Sequence, residues 1–126
     1  MMKPDTWVLA PLTKHLRRQI RESGFINWTT ISRNFALPTG LIHRHRDKVD
    51  WRYISAYQVL PEGFIHRHRD KVDWRFICRY QDLSAEFILQ HLDLVDLEEI
   101  AQCYPEVYQQ YNLEVYRRLT TQVTRY

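Results

Sequence analysis

Cysteine, glycine and proline are all scarce in this chain, and each shortage excludes a class of protein. The two cysteines among 126 residues, Cys78 and Cys103, supply neither a disulfide framework nor the four ligands of a structural zinc site. Three glycines and five prolines are too few for the many turns of a β-sandwich or a β-barrel. These shortages favour a helical protein in a reducing compartment.

Long hydrophobic runs are absent as well. No stretch of 18 apolar residues occurs, and the N-terminus lacks the charged start and the cleavage site of a signal peptide. We therefore expect a cytoplasmic protein without a membrane partner. With 44% hydrophobic and 13% aromatic residues the chain can form a core, and its length suits one domain.

Positive charge is missing from one part of the chain. Residues 1–81 carry 15 Lys and Arg against 7 Asp and Glu, whereas residues 82–126 carry 3 against 8. No Lys or Arg occurs between Asp82 and Tyr116. The net charge of +3 therefore combines a basic part with an acidic part, which bears on the choice of partner.

The sequence repeats itself with a constant period of 23. Residues 42–52 and 65–75 are identical, and the segments 41–58 and 64–81 agree at 14 of 18 positions. One set of equivalent positions is occupied by Trp28, Trp51, Trp74 and Leu97, and another by Ile31, Ile54, Ile77 and Ile100. Repetition within one chain predicts a tandem array of similar structural units.

Each unit is predicted to contain two short helices. The second helix begins after an Asn or Asp, because such side chains accept hydrogen bonds from the free N–H groups of a first turn. These positions are Asn27, Asp50, Asp73 and Asp96. The first helix begins near Pro38, Pro61 or Ser84. Such short helices are not stable alone, so packing between units must stabilise the array.

The two ends diverge from the repeat, as the caps of an array do. The predicted parts of the single domain are an N-terminal basic helical cap at 1–26, the tandem repeats at 27–103 and a C-terminal Tyr-rich helical cap at 104–126. We expect Gly24 to end the first cap and Pro105 to open the second. The predicted fold is all-α: a short α-solenoid of helix-turn-helix repeats with divergent capping helices.

The repeat also has a recognisable pattern. It runs from Leu and Ser/Pro through Phe-Ile to Val-Asp-Trp, Ile-Ser and Tyr-Gln, and is clearest in residues 83–88 (LSAEFI) and 47–55 (DKVDWRYIS). Over residues 27–103 the chain resembles short repeats in uncharacterised proteins of phages and large DNA viruses. The resemblance implies a phage or viral origin and no particular activity. If the protein comes from a phage, we expect it in the cytoplasm of the host cell. This chain departs from the pattern in its Arg and His enrichment at 43–46 and 66–69 and in the loss of the fourth Trp.

Histidines in the repeat suggest a metal site, but their positions argue against one. His45, His68 and His91 recur in the divergent third unit, three residues after an inward Ile, so we interpret them as hydrogen-bonded structural residues. His43 and His66 become leucine in that unit and should be exposed. Residues two apart on a helix point about 200° apart, so His43 and His45 cannot easily share an ion. Adjacent units could bring His43 and His66 together, but we predict no metal and no cofactor.

No constellation typical of an enzyme is evident. The Asp residues that precede the second helices are explained as caps, each contributing about 1 kcal/mol. Asp47, Asp70 and Asp93 are expected to pair with neighbouring Arg or to satisfy the turn between helices. Catalytic triads and phosphate-binding loops lack supporting context, and so small an array is not expected to hold a deep pocket. We predict a protein that is not an enzyme.

Basic residues of the first two units form columns that the third unit lacks. The eight cations are Arg44, Arg46, Lys48, Arg52, Arg67, Arg69, Lys71 and Arg75. Stacking should place equivalent cations side by side in one patch, extended by Arg33 and Arg79. Such a patch suits a polyanionic macromolecule, either a nucleic acid or an acidic protein surface. Because the Trp residues fit core positions, any contact with nucleic acid should be through the backbone.

The acidic part supports a second hypothesis. Asp93, Glu98 and Glu99 could form a surface that mimics nucleic acid, as in a phage-encoded inhibitor of host defence of the anti-CRISPR type that acts by protein–protein contact. Copies of the chain could also associate, either by pairing basic with acidic surfaces or through the Tyr-rich C-terminal segment.

Overall fold

Helices account for most of the described chain. The computed structural model describes residues 9–22 and 26–123, and their side chains except those of 114–116 and 118–123. The helices in this part are α1 (Lys14–Arg21), α2 (Trp28–Asn34), α3 (Thr39–Arg44), α4 (Trp51–Tyr57), α5 (Glu62–Arg67), α6 (Trp74–Tyr80), α7 (Ala85–Gln90), α8 (Leu97–Cys103) and α9 (Pro105–Val123). Besides them, only an isolated bridge joins Ala10 to Phe35 there. The all-α class is therefore confirmed for the described residues.

Side-chain caps set the starts of the second helices. Asn27 accepts a hydrogen bond from Thr30 N, and Asp73 and Asp96 accept equivalent bonds within α6 and α8. The side chain of Asp50 accepts instead from the backbone N–H of Arg52, which is only two residues further along the chain. Because each cap stands at the same place in the repeat, the starts of α2, α4, α6 and α8 follow one another at exact intervals of one period.

The second helices α2, α4, α6 and α8 pack side by side in chain order, and α9 packs against α7 and α8. Their central isoleucines are at most 5% exposed, and the isoleucines of the first helices α3, α5 and α7 are 0% exposed. Since these helices have only six or seven residues, burial of their apolar side chains against neighbours must stabilise them.

Glutamine side chains join one unit to the next. The buried Gln58 accepts a hydrogen bond from Leu37 N at 2.9 Å and donates to the carbonyls of Ser32 and Phe35. Gln81 repeats this arrangement one unit later with Leu60 N and the carbonyls of Ser55 and Gln58. One side chain thus satisfies three backbone groups of the preceding unit, which would otherwise be buried without partners.

The last unit keeps two of these three contacts with a different residue. Tyr104 takes the place of the glutamine, and its hydroxyl accepts from Leu83 N at 3.0 Å and donates to Gln81 O at 2.8 Å. In a second set of hydrogen bonds, the backbone N–H of each capping Asp donates to a small residue of the preceding unit. Asp50 donates to Ser32. Asp96 donates to Cys78, whose thiol is buried, and burial raises the pKa of this thiol to about 11.

The terminal helices only partly match their predicted extents. Within the predicted N-terminal cap 1–26, helix α1 begins after Thr13, whose hydroxyl accepts from Leu16 N, and ends at Arg21. Gly24, predicted to end it, lies outside the described residues. Pro105 opens α9 as predicted. The side chains of its second half, including Val115, Tyr116 and Leu119, lie outside the description.

Replacing Gln81 by Leu should destabilise the protein strongly. The substitution leaves one N–H group and two carbonyls in the joint between units without their partner. At about 1 kcal/mol or more for each such group, we expect the free energy of unfolding to fall by about 3 kcal/mol.

Urea unfolding followed by circular dichroism measures this effect. Val59 stands in the same type of loop at 81% exposure, so Val59→Gln is the matched control and should change stability by no more than about 0.5 kcal/mol. Equal effects of the two substitutions would show that the glutamine bonds do not hold the units together.

Candidate macromolecule-binding surface

Six of the eight predicted cations stand at or just beyond the C-terminal ends of α3 and α5. We call them the turn cations: Arg44, Arg46, Lys48, Arg67, Arg69 and Lys71. Arg46 donates from Nη1 to the carbonyl of His43 at 2.9 Å, and Arg69 donates in the same way to His66 at 3.0 Å. These bonds orient both guanidiniums and leave their remaining N–H groups available for a ligand.

Tryptophan side chains hold the backbone of the same turns. Trp51 donates from its indole N–H to Arg46 O, and Trp74 donates to Arg69 O, both at 2.9 Å. Both rings are half-buried and pack against the core. The prediction that these Trp residues serve packing agrees with their position, and they keep the turn cations in a defined geometry.

Ion pairs engage three of the eight predicted cations. Arg52 pairs with Asp50 at 3.4 Å. Lys71 pairs with Asp47 and Arg75 with Glu99, and both of these pairs join neighbouring units. In the part of the chain that the structure describes, no carboxylate pairs with the other five: Arg44, Arg46, Lys48, Arg67 and Arg69. These five exposed cations are the strongest positive feature in the repeats.

Arginines of two successive units act on the same histidines. Desolvation, Arg67 and Arg46 lower the pKa of His43. Desolvation has the largest effect on the pKa of His68 as well, and His43, Arg67 and Arg46 lower it further. The side-by-side placement of equivalent cations stays a prediction.

The histidines pair across units in a way that the repeat did not predict. His43 Nδ1 lies 3.2 Å from His68 Nε2, and His66 Nδ1 lies 2.8 Å from His91 Nε2. The inner His68 and His91 are buried, as expected, and His66 is exposed. His43 was expected to be exposed but is half-buried, because it packs against the ring of the next unit.

His43 and His66 do not pair with each other, an arrangement that we considered from the sequence. Each of them instead contacts an inner histidine of the next unit. Among the residues described, no group of three or more His, Cys, Asp or Glu is placed to hold an ion.

The acidic residues of the second hypothesis do not form one exposed set. Asp93 and Glu98 are exposed, but the side chain of Glu99 is only 12% exposed and lies 3.7 Å from Arg75. Glu99 therefore neutralises a cation of the preceding unit, which was not expected from the sequence. Asp47 was expected to pair with a neighbouring Arg or to satisfy the turn between helices, and its partner is Lys71.

Aromatic rings accompany the arginines of the second helices. The guanidiniums of Arg33 and Arg52 lie 5.6 and 5.8 Å from the centre of the Tyr53 ring, and Arg79 lies 5.3 Å from that of Tyr80. Arg33 and Arg79, predicted to extend the patch, are thus engaged in cation–π contacts. These contacts were not expected from the sequence, because the repeat pattern does not show which ring an arginine reaches.

A groove beside α1 was not expected from the sequence either. It is lined by Arg17, Ile20, Arg21, Leu41, Arg44 and His45, so it joins the N-terminal helix to the first turn cation. The basic character of the N-terminal segment was the available signal, but nothing in the repeat pattern indicates which unit the segment contacts.

No protein-family model, curated protein or solved structure matches this chain. None of the helices in the described ranges is long and apolar enough to cross a membrane. Function is therefore inferred from the geometry of the surface.

The histidines predict that stability decreases in mild acid. Desolvation, together with nearby cations, lowers the pKa of His43, His45 and His68 below the ordinary value of 6.5. Below pH 6.5 the unfolded chain then binds more protons than the folded protein, so the free energy of unfolding should decrease as pH falls.

Thermal and urea unfolding at pH 7.5 and 5.5 test this, since most carboxylates stay ionised in that range. The variant His43→Leu, which copies Leu89 of the third unit, should show a smaller decrease between the two pH values. A free energy of unfolding that is constant or higher at pH 5.5 would contradict the assignment.

Proposed function

We propose that this chain is a short α-solenoid of repeated units with terminal caps, a single domain that binds a nucleic acid and is not an enzyme. The arrangement of α2, α4, α6 and α8, which begin one period apart and pack in chain order, supports the architecture. The boundaries we propose for caps and repeats are those predicted from the sequence.

One observation supports the function above the others: five turn cations stand exposed without a carboxylate partner among the described residues. They are Arg44, Arg46, Lys48, Arg67 and Arg69. Repulsion among like charges at this density costs stability, and a bound polyanion removes that cost by supplying negative charge.

The polyanion that we favour is a nucleic acid, contacted through its phosphates. Guanidiniums bind phosphate oxygens through paired N–H donors. Four of the five turn cations that lack a carboxylate partner are arginines. Arg46 and Arg69 are already oriented by the carbonyls of His43 and His66. The tryptophans of the turns are half-buried, so base stacking is not part of the proposal, and binding should depend little on base sequence.

The resemblance to phage and viral repeats makes an inhibitor of host defence the alternative. Asp93 and Glu98 would then contact a basic protein, whereas Glu99 is engaged by Arg75. We place this alternative second, because the described acidic surface has lost one of its three expected members.

Binding to generic duplex DNA or RNA should weaken steeply with salt. If about four phosphates are contacted, the logarithm of the association constant should fall with the logarithm of salt concentration with a slope of about −4 for DNA. The double variant Arg67→Glu and Arg69→Glu should weaken binding at least about tenfold and reduce the slope by about 2, because two phosphate contacts are lost. Fluorescence anisotropy at several salt concentrations measures both quantities.

The matched control is Arg33→Glu with Arg79→Glu. It changes the net charge by the same amount on the second helices, where both arginines lie over tyrosine rings. Equal weakening by the two double variants would mean that net charge, and not the turn surface, governs binding. No binding at low salt, combined with capture of a host protein that Asp93→Lys and Glu98→Lys abolish, would favour the inhibitor.

A further inference from the structure

The groove beside α1 has the shape and the charge of a small-ligand site. It has a volume of about 550 Å³, and its six lining residues come from α1, from α3 and from His45, which follows α3. Ile20 and Leu41 are 3% and 7% exposed and form its apolar floor. A volume of roughly 300–1,000 Å³ is usual for pockets that hold a small organic molecule.

Three guanidiniums from two helices line this groove. Arg17 and Arg21 are one turn apart on α1, and Arg44 ends α3. All three are exposed, and the described residues include no carboxylate that pairs with any of them. The one ion pair on α1 joins Arg18 to Glu22 at 3.1 Å, and neither of these residues lines the groove.

His45 completes the polar lining. Its ring is half-buried and lies against Trp28, with ring centres 4.9 Å apart. Desolvation, Lys48 and Arg44 all lower its pKa. The ring is therefore mostly neutral near pH 7, and an anion placed beside it would favour its protonated form.

We propose that this groove binds a phosphomonoester, with the phosphate among Arg17, Arg21 and Arg44 and the rest of a nucleotide over Ile20 and Leu41. A phosphomonoester carries a charge of about −1.5 to −2 at pH 7 and presents three acceptor oxygens, which suits three guanidiniums better than a carboxylate does. The volume leaves room for a base and a ribose beside the phosphate.

The source of the phosphate is either a free nucleotide or the 5′-phosphorylated end of a nucleic acid. The inference goes beyond the binding of a polyanion by the turns, because a free nucleotide needs no contact with Arg67 or Arg69. Arg44 belongs to both surfaces, so the test relies on Arg17 and Arg21, which are absent from the turn cations.

Isothermal titration with adenosine monophosphate, adenosine and inorganic phosphate tests the ligand class. The monophosphate should bind at least about tenfold more tightly than adenosine, because charge-assisted hydrogen bonds to the phosphate are lost without it. Arg17→Gln and Arg21→Gln should each weaken the binding of adenosine monophosphate about tenfold. Arg18→Gln, on the same helix but outside the groove, should change it less than about twofold.

Histidine NMR titration gives a second readout. Saturation with adenosine monophosphate should raise the pKa of His45, and Arg17→Gln should diminish that rise. His15, which stands on α1 but does not line the groove, serves as the internal reference. An unchanged His45 titration would overturn the proposal.

Oligonucleotides distinguish the two sources. If a 5′-phosphorylated strand binds more tightly than its 5′-hydroxyl counterpart, and Arg17→Gln removes the difference, the ligand is a nucleic-acid end. A response to the free nucleotide alone identifies a nucleotide site. Equal binding of adenosine and its monophosphate, or equal effects of Arg17→Gln and Arg18→Gln, would overturn the inference. The variant Arg67→Glu with Arg69→Glu should leave nucleotide affinity unchanged. The proposal that the turns bind a polyanion can therefore fail while the nucleotide proposal holds.

Discussion

Satisfying the buried backbone at each joint between units is the constraint on which the rest of this structure depends. The end of a second helix and the loop after it present three backbone groups to the next unit, and a single glutamine of that unit provides partners for all of them. Both ends of the amide take part, so the glutamine must stand at a set distance along the chain from its partners. Gln58 and Gln81 lie one period apart, and Tyr104, one period later, makes two of the three bonds.

The first two units concentrate positive charge. Arg67 and Arg46, which come from different units, act on the same histidine pair, His43 and His68. Desolvation and these cations lower the pKa of both rings, which hydrogen-bond to each other, so the pair adds little positive charge near pH 7. Five of the six turn cations remain without a carboxylate partner among the described residues, which is the property that favours a phosphate-bearing partner.

The third unit changes the chemistry without changing the scaffold. Its capping Asp96, its buried Ile88 and Ile100 and its inner His91 keep the positions of the earlier units. Its acidic Glu99 instead reaches back to Arg75 and neutralises a cation of the second unit. The proposed binding surface therefore covers the first two units and extends toward α1, where Arg17, Arg21 and Arg44 line one groove.

The sequence alone determined the helical class, the starts of the helices within the repeats and the buried columns. Capping residues and apolar spacing act within a few residues of each other, so a single unit contains the information. The tertiary structure decided which side chains meet between units. A period of 23 suggests that equivalent residues lie together, but the histidine pairs join residues 25 apart, and the ion pairs of Lys71 and Arg75 join residues 24 apart. These offsets depend on how neighbouring helices pack, which the repeat pattern does not contain. The groove beside α1 depends on packing in the same way, because α1 lies outside the repeat and lines the groove together with residues of α3.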